Sequence, residues 1–282
     1  MAREDALSIL TSAETKDKLA ELDGQLIESI QKNALSERLK NKNYSGDPTT
    51  GSVEINRFKN STADDYGTAR AAGAGKKLMN TGKVTINIDQ DKEITEEIEK
   101  KDLELFGIAG LADRRTANHS SRVIANLDRV FFATAEAAAT TVSVDEDAPI
   151  ADQVEAVIQK LESVNNDWVD GVDRSDMALS LSPAVYGKLR TYIDKVNDGG
   201  ATAEAINVFH GVEVYSNVRQ TAGILIQYKG AVAQPVTIDD YAAERIPLSN
   251  AVAIELYYSY GTKAVMPDLI FKANTSTPVV SA

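Results

Sequence analysis

Two strand-like runs bracket a stretch of chain that cannot form a core of its own, and this pairing constrains the fold most. Val53-Glu-Ile-Asn-Arg-Phe58 and Lys83-Val-Thr-Ile-Asn-Ile88 place Val53/Ile55 and Val84/Ile86/Ile88 at the period of a half-buried strand. Between them lie Gly67, Gly73, Gly75 and Gly82, a run of alanines, and Arg70, Lys76 and Lys77. The arms are expected to pair as a long β-hairpin. Its tip far exceeds an ordinary hairpin loop, and connections of that length are usually functional or disordered. A two-stranded ribbon is marginal alone in water. The hairpin therefore needs a surface to lie on, and another copy of the same protein is the simplest one.

The charge of the segment points the same way. Ser52–Ile88 carries Arg57, Lys59, Arg70, Lys76, Lys77 and Lys83 against Glu54, Asp64 and Asp65, a local charge of +3 in a chain of formal net charge −12. A basic arm on an acidic body suits head-to-tail contact between identical subunits, which builds rings or open lattices. A solvated surface loop is the alternative. The acidic balance argues against binding nucleic acid or an anionic membrane through a broad basic face.

At 282 residues the chain can hold one large core or two modest ones. It has no cysteine, which excludes disulfides and thiolate metal sites. Met1-Ala-Arg-Glu-Asp-Ala-Leu7 lacks the apolar core of a signal peptide, and no apolar run reaches transmembrane length. A soluble protein made in a cytoplasm is expected.

Thr11-Ser-Ala-Glu14 has capping-box spacing, and Leu19, Leu22, Leu26 and Ile30 follow three and four apart, with Leu35 and Leu39 continuing the stripe. This predicts an amphipathic helix ended by Asn43-Tyr-Ser-Gly46-Asp-Pro48, docked on its own body or on a neighbour. After the hairpin, Thr95-Glu-Glu97 reads as the first turn of a second helix, with Ile94, Ile98 and Leu105 on one face. The pattern resumes past Gly107 and Gly110 through Val123, Leu127, Val130 and Phe131 to Ala139. A continuous rod there would be roughly 65 Å long, and the glycines predict a break or kink near Gly107.

Asp145-Glu-Asp147-Ala-Pro149 marks a boundary and then a helix start, with Ile150, Val154, Val157, Leu161 and Val164 on its apolar face. Met177–Leu181 reads as a buried strand. Ser182-Pro183 starts a helix carrying Tyr186, Leu189 and Ile193, and Val208–Val218 and Gly223–Tyr228 read as strands. These form a compact α/β unit. The chain closes with strands Ala251–Tyr258 and Lys263–Met266, joined by a turn at Tyr260-Gly261, and then Leu269-Ile-Phe271.

Signals for chemistry fail one by one. His119 and His210 have no metal-ligand spacing to another strong ligand, and no Gly-x-Ser-x-Gly elbow occurs. Gly73-Ala-Gly75-Lys76-Lys77 lacks the first glycine of a phosphate loop, since Arg70 stands there, and Lys77 replaces the magnesium-binding Ser or Thr. Asp89, Asp91 and Glu93 open like a calcium loop, but Ile94 occupies the glycine position and Lys100 the position of the bidentate acid. No catalytic, cofactor-binding or metal residue is assigned, and the chain is expected not to be an enzyme.

The order of elements, with Ser52–Phe106, Ser182-Pro-Ala-Val-Tyr-Gly-Lys-Leu189, Phe209–Asn217, a Tyr258-Ser-Tyr-Gly261 hairpin and Val265–Phe271, resembles the major capsid proteins of tailed bacteriophages, the fold named after phage Hong Kong 97. The resemblance implies an α+β fold. It divides into an N-terminal helical arm (1–51), an extended loop that lies across a neighbouring subunit (52–94), a peripheral domain with a spine helix (95–147 and 241–282) and an axial domain (148–240). It implies hexamers and pentamers of an icosahedral head enclosing double-stranded DNA, assembled in a bacterial cytoplasm. Partners would be the protein itself, a separate scaffolding protein, a portal and a decoration protein, with DNA held only non-specifically, no cofactor and no membrane. Candidate contacts between subunits are Arg57, Lys59, Arg70, Lys76, Lys77 and Lys83 on the hairpin, and Leu19, Leu22, Leu26 and Ile30 on the arm. Some family members crosslink a lysine of this loop to a neighbour's asparagine. Lys76 and Lys77 lie in the loop, but no matching acid or asparagine is found, and that chemistry is not carried over. Two alternatives stand beside this reading: an encapsulin-type bacterial shell of the same fold, and a small-molecule enzyme on the central α/β unit.

Overall fold

The structure, a computed structural model, describes residues 13–60, 65–67, 81–99, 108–196, 206–239, 242–247, 249 and 251–274. The N-terminal leucine stripe folds as helix α1 (Ala13–Asn33), followed after Ala34 by the short α2 (Leu35–Leu39). Ala34 is extended at φ −72° and ψ 126°, and α2 is capped from outside by Asp128, whose Oδ1 accepts from the Ser36 N–H at 2.9 Å. The hairpin follows as β1 (Ser52–Phe58) and β2 (Thr81–Asn87), antiparallel with Val53 opposite Ile86 and Ile55 opposite Val84. Next come β3 (Gln90–Glu99) and the spine helix α3 (Ile108–Ala138), whose 31 residues span about 46 Å.

The central unit holds β4 (Thr140–Thr141), α4 (Ile150–Glu162), β5 (Met177–Leu181), α5 (Pro183–Val196), β6 (Val208–Phe209), β7 (Val212–Ser216) and β8 (Ile224–Tyr228). The closing strands are β9 (Val232–Ala233), β10 (Val236–Ile238), β11 (Ala242–Arg245), β12 (Ala251–Tyr260), β13 (Lys263–Ala264) and β14 (Ile270–Ala273). A six-stranded mixed sheet runs β4-β14-β8-β5-β7-β6. The α4 face formed by Val154, Val157 and Leu161 packs on it, together with Leu189 of α5. Strands 140–141 and 270–273 thus belong to this sheet, although they lie outside residues 148–240 in sequence.

The other large sheet is organised on β12. Along its whole length it pairs with β3, and on its other side with β11 and β10. Leu26 and Ile30 of α1 are buried between this sheet and Val123, Ile124 and Leu127 of α3. Each such burial contributes about 1.5–3 kcal/mol. The arm therefore docks on its own body. Leu26 and Ile30, candidates for contact between subunits, are instead core residues, with 0% and 3% exposure. Leu19 and Leu22 lie on α1, but their side chains fall outside the described residues.

Two further expectations are corrected. Residues 95–99 are strand, not the start of a helix. Glu96 lies on the face that meets α3, 3.2 Å from Arg115 Nε and 3.1 Å from His119 Nε2. An acid between Ile94 and Ile98 hides the alternation of a half-buried strand, and ten paired residues of β12 override the helical spacing. The spine helix runs from Ile108, beside the break expected near Gly107, and 95–139 is not one continuous rod. Finally, β12 and β13 do not form a hairpin: β13 pairs with β9. Gly261 between them presses against β2, where an added Cβ would sit 2.0 Å from the Asn87 carbonyl oxygen, so no side chain fits.

Candidate functional site

The hairpin lies on the body, and where its paired strands end, at Phe58 and Thr81, the chain builds a connected polar cluster. Val53, Ile55 and Ile86 are buried against Ala233 and Val265, so the lower hairpin lies on its own subunit rather than on a second copy. Two residues beyond this apolar footing, Arg57 donates two parallel hydrogen bonds to Asp268, Nη1 to Oδ1 at 2.5 Å and Nη2 to Oδ2 at 2.6 Å. Asp268 sits in the turn Pro267–Leu269 that leads into β14. Asn166 donates to the same Asp268 Oδ2 at 2.8 Å.

Asn166 also shapes the loop after α4. Its Oδ1 accepts the N–H groups of Trp168 at 2.8 Å and Val169 at 3.0 Å, which turns the backbone and presents the Trp168 ring to the hairpin. The Arg57 guanidinium lies 4.9 Å from the ring centroid and Lys59 Nζ 5.4 Å from it. Both distances are in the cation–π range. Lys59 pairs with Asp167 at 2.7 Å, and the Asn60 N–H donates to the Asp167 carbonyl at 2.9 Å. On the other strand, Gly82 leaves room for the indole: a Cβ there would stand 2.8 Å from Cη2 of Trp168. Hairpin, loop and β14 turn are thus fastened at one point.

Burial pushes the Asp268 carboxyl up, but the hydrogen bonds from Arg57 and Asn166 outweigh it and hold Asp268 below the ordinary aspartate range. Lys59 holds Asp167 low in the same way. These are the directions of a fixed ion-pair network, not of a carboxyl poised for proton transfer at neutral pH.

A second network braces α4. Arg174 spans Glu155 and Glu162, at 2.8 Å each, and donates to the His210 carbonyl at 3.1 Å. His210 occupies the β6–β7 turn at φ 46°, stacked on Phe209 with ring centroids 3.9 Å apart, and its Nδ1 meets Glu155 Oε2 at 2.7 Å. Burial raises Glu155, while hydrogen bonds from Arg174, His210 and Gln159 hold it below the usual value. His119 is buried on α3 beside Glu96. Its Nε2 makes that contact without hydrogen-bond alignment. Each histidine meets a carboxylate at an element junction, which accounts for it structurally.

Of the candidate contact residues, Arg57 and Lys59 come together at Trp168, both paired within the chain. Lys83 pairs across the hairpin with Glu54 at 2.6 Å, exposed on both sides. Arg70, Lys76 and Lys77 lie outside the described residues. Sequence reasoning passed over Trp168, Asn166 and Asp268. The available signal was the chain's single tryptophan, set in Asn165-Asn166-Asp167-Trp168, a turn-forming run directly after a helix. It also passed over the buried Asp128, which takes the Ser36 N–H on one oxygen and Arg219 Nη1 at 2.9 Å on the other.

No protein-family model matches the chain, and no curated protein matches it. Solved structures do. A chain from Mycobacterium phage Che8 superposes with a TM-score of 0.64 at 18% identity, covering 86% of this chain and 92% of that one. A chain from the capsid structure of the cyanophage P-SCSP1u gives 0.59 at 13% identity, covering 86% and 88%. The virus-like particle from Pyrococcus furiosus gives 0.59 at 12% identity, covering 93% and 100%. This chain has the α+β fold that these structures share.

Proposed function

We propose that this chain is the major capsid protein of a tailed bacteriophage, a structural subunit that self-assembles into hexamers and pentamers of an icosahedral head around double-stranded DNA. The observation that carries the reading is the likeness to the Che8 chain over 86% of this chain and 92% of that one, together with the match to the capsid structure of the cyanophage P-SCSP1u. The hairpin geometry supports it. A ribbon buried at its foot and fastened by Arg57, Trp168 and Asp268 is a fixed mount for the basic stretch 70–77, which in this reading meets another subunit.

In this reading the chain divides into arm 1–51, extended loop 52–94, peripheral domain 95–147 with 241–282, and axial domain 148–240. Scaffolding, portal and decoration proteins would act on the assembled lattice in the host cytoplasm, and DNA would be enclosed without specific contacts. An encapsulin-type shell is the second reading, and the match to the Pyrococcus furiosus virus-like particle supports it no better than the phage structures support the first.

The test replaces residues 63–80 with Asn-Gly, which leaves a short six-residue connection between the paired Phe58 and Thr81. The subunit should stay folded, because its cores lie elsewhere, and shells should fail to form. Normal shells from the shortened chain would overturn the arm's role. Nucleic acid inside wild-type particles from the native source supports the phage reading, and protein cargo supports the encapsulin one.

A further inference from the structure

Between the segment that follows α2 and the turn from β8 to β9 lies a pocket of about 430 Å3 lined by four cations and no acid. Arg38 comes from α2, Lys40 and Lys42 from the extended stretch after it, and Lys229 from the end of β8. In a chain of net charge −12 this is a local reversal of sign. The backbone around it is fixed. Asn41 is buried, donates from Nδ2 to the Gly230 carbonyl at 3.0 Å and takes the Asn43 N–H on Oδ1 at 2.8 Å. The Gly230 N–H in turn donates to the Leu39 carbonyl at 2.8 Å, and the Asn41 N–H to the Val232 carbonyl at 2.8 Å.

The four cations are unequally committed. Lys40 is nearly buried, pairs with Glu37 and donates to the Gln234 carbonyl at 3.1 Å. Lys229 reaches Glu213 at 3.1 Å and the Ser175 carbonyl at 2.9 Å. Lys42 stands 4.0 Å from the same Glu37 and is 66% exposed. Arg38 is exposed, spends Nη2 on the Lys32 carbonyl at 2.8 Å, and has no ion-pair partner within 4 Å among the described residues. Two carboxylates, Glu37 and Glu213, thus stand against four cations. The surplus positive charge sits on Arg38 and Lys42.

We infer that this pocket binds phosphate groups. A phosphate carries several acceptor oxygens and up to two negative charges, so donors converging from separate elements suit it better than they suit a single carboxylate. The Arg38 fork and the Lys42 and Lys229 ammonium groups supply that mixture from three places in the fold. The phosphate belongs either to a nucleic-acid backbone or to a free polyphosphate, which present the same chemistry. A backbone contact of this kind positions nucleic acid without reading its sequence, and one pocket can make it where an acidic body offers no broad basic face. The inference is independent of the shell reading above.

The test uses the full-length chain with two probes, a short labelled DNA duplex followed by fluorescence anisotropy and inorganic tripolyphosphate followed by calorimetry. The chain should bind tripolyphosphate, and Arg38→Gln with Lys42→Gln should weaken that binding at least about tenfold. If the duplex is the source, tripolyphosphate displaces it from the wild-type chain, and the same double variant makes the slope of log affinity on log salt shallower by about two. If free polyphosphate is the source, tripolyphosphate binds and the duplex does not. Lys188→Gln with Lys195→Gln removes equal charge from exposed positions of α5 and should change nothing. Thermal unfolding should be unaltered in both variants, because all four side chains are exposed. Absence of binding by either probe overturns the inference, as does an equal loss in the α5 variant. Polyglutamate that displaces the probes as well as tripolyphosphate does would assign the pocket to an acidic protein segment and overturn it too.

Discussion

The fastening at the hairpin root predicts a specific energetic coupling between residues 211 positions apart in sequence. Arg57 and Asp268 form a two-bond pair with side chains 11% and 28% exposed, so water screens it only in part. A charge-assisted hydrogen bond contributes about 1.5–3 kcal/mol net, and desolvation of both partners offsets some of the doubled bond. A double-mutant cycle with Arg57→Ala and Asp268→Ala should therefore give a coupling of about 2 kcal/mol at neutral pH. Urea unfolding of the unassembled subunit measures it, as shifts in midpoint at constant slope.

The pH dependence gives a second check. The Asp268 carboxyl titrates below its unfolded value, so its stabilisation is complete above the ordinary aspartate pKa of about 4 and is lost as pH falls through the lower folded value. The coupling should persist at pH 6 and shrink well below pH 4. A coupling under about 0.5 kcal/mol at pH 7 would be the size of an exposed pair and would refute the fastening. A coupling unchanged at the acid end would refute its ionic origin.

Leu26→Asp should destabilise the isolated subunit by at least about 4 kcal/mol, because it opens a cavity and buries a charge under α3. An unchanged melting temperature would mean that the arm is not docked on its own body. Asp128→Ala should cost about 2–3 kcal/mol, since both the α2 N–H and Arg219 lose their partner. Hydrogen exchange should quicken selectively in residues 35–39, and unaltered protection there would contradict the cap. His210→Asn keeps a residue that tolerates positive φ and should change stability by less than about 1 kcal/mol. Particle yield should be unaffected, and lost assembly from a folded subunit would give His210 a role beyond the turn.

Elements whose burial follows a local period were legible in the sequence. The hairpin arms, α4, the fully buried β5 and the α5 start at Pro183 all lie where their apolar spacing places them. The β3 strand was not legible, because Glu96 interrupts its inward face and its acids mimic a helix start. Its state is set by β12, more than 150 residues later in the chain. The candidate site was half legible. Composition marked Arg57 and Lys59 as part of a basic arm, but a count of charges cannot show that both are committed to carboxylates on other elements. Trp168 gave no periodic signal at all. Its role arises from the bare Gly82 opposite it and from the turn that Asn166 imposes, and both depend on tertiary contact.

The central claim is that copies of this chain close into a shell through their hairpins. Electron microscopy of the purified full-length protein, expressed with and without the partner proteins of its native source, tests it most directly. The account predicts closed particles of icosahedral symmetry in which the hairpin of each subunit meets the next. Subunits that stay monomeric under every condition, or particles whose hairpins contact only their own chain, would contradict it.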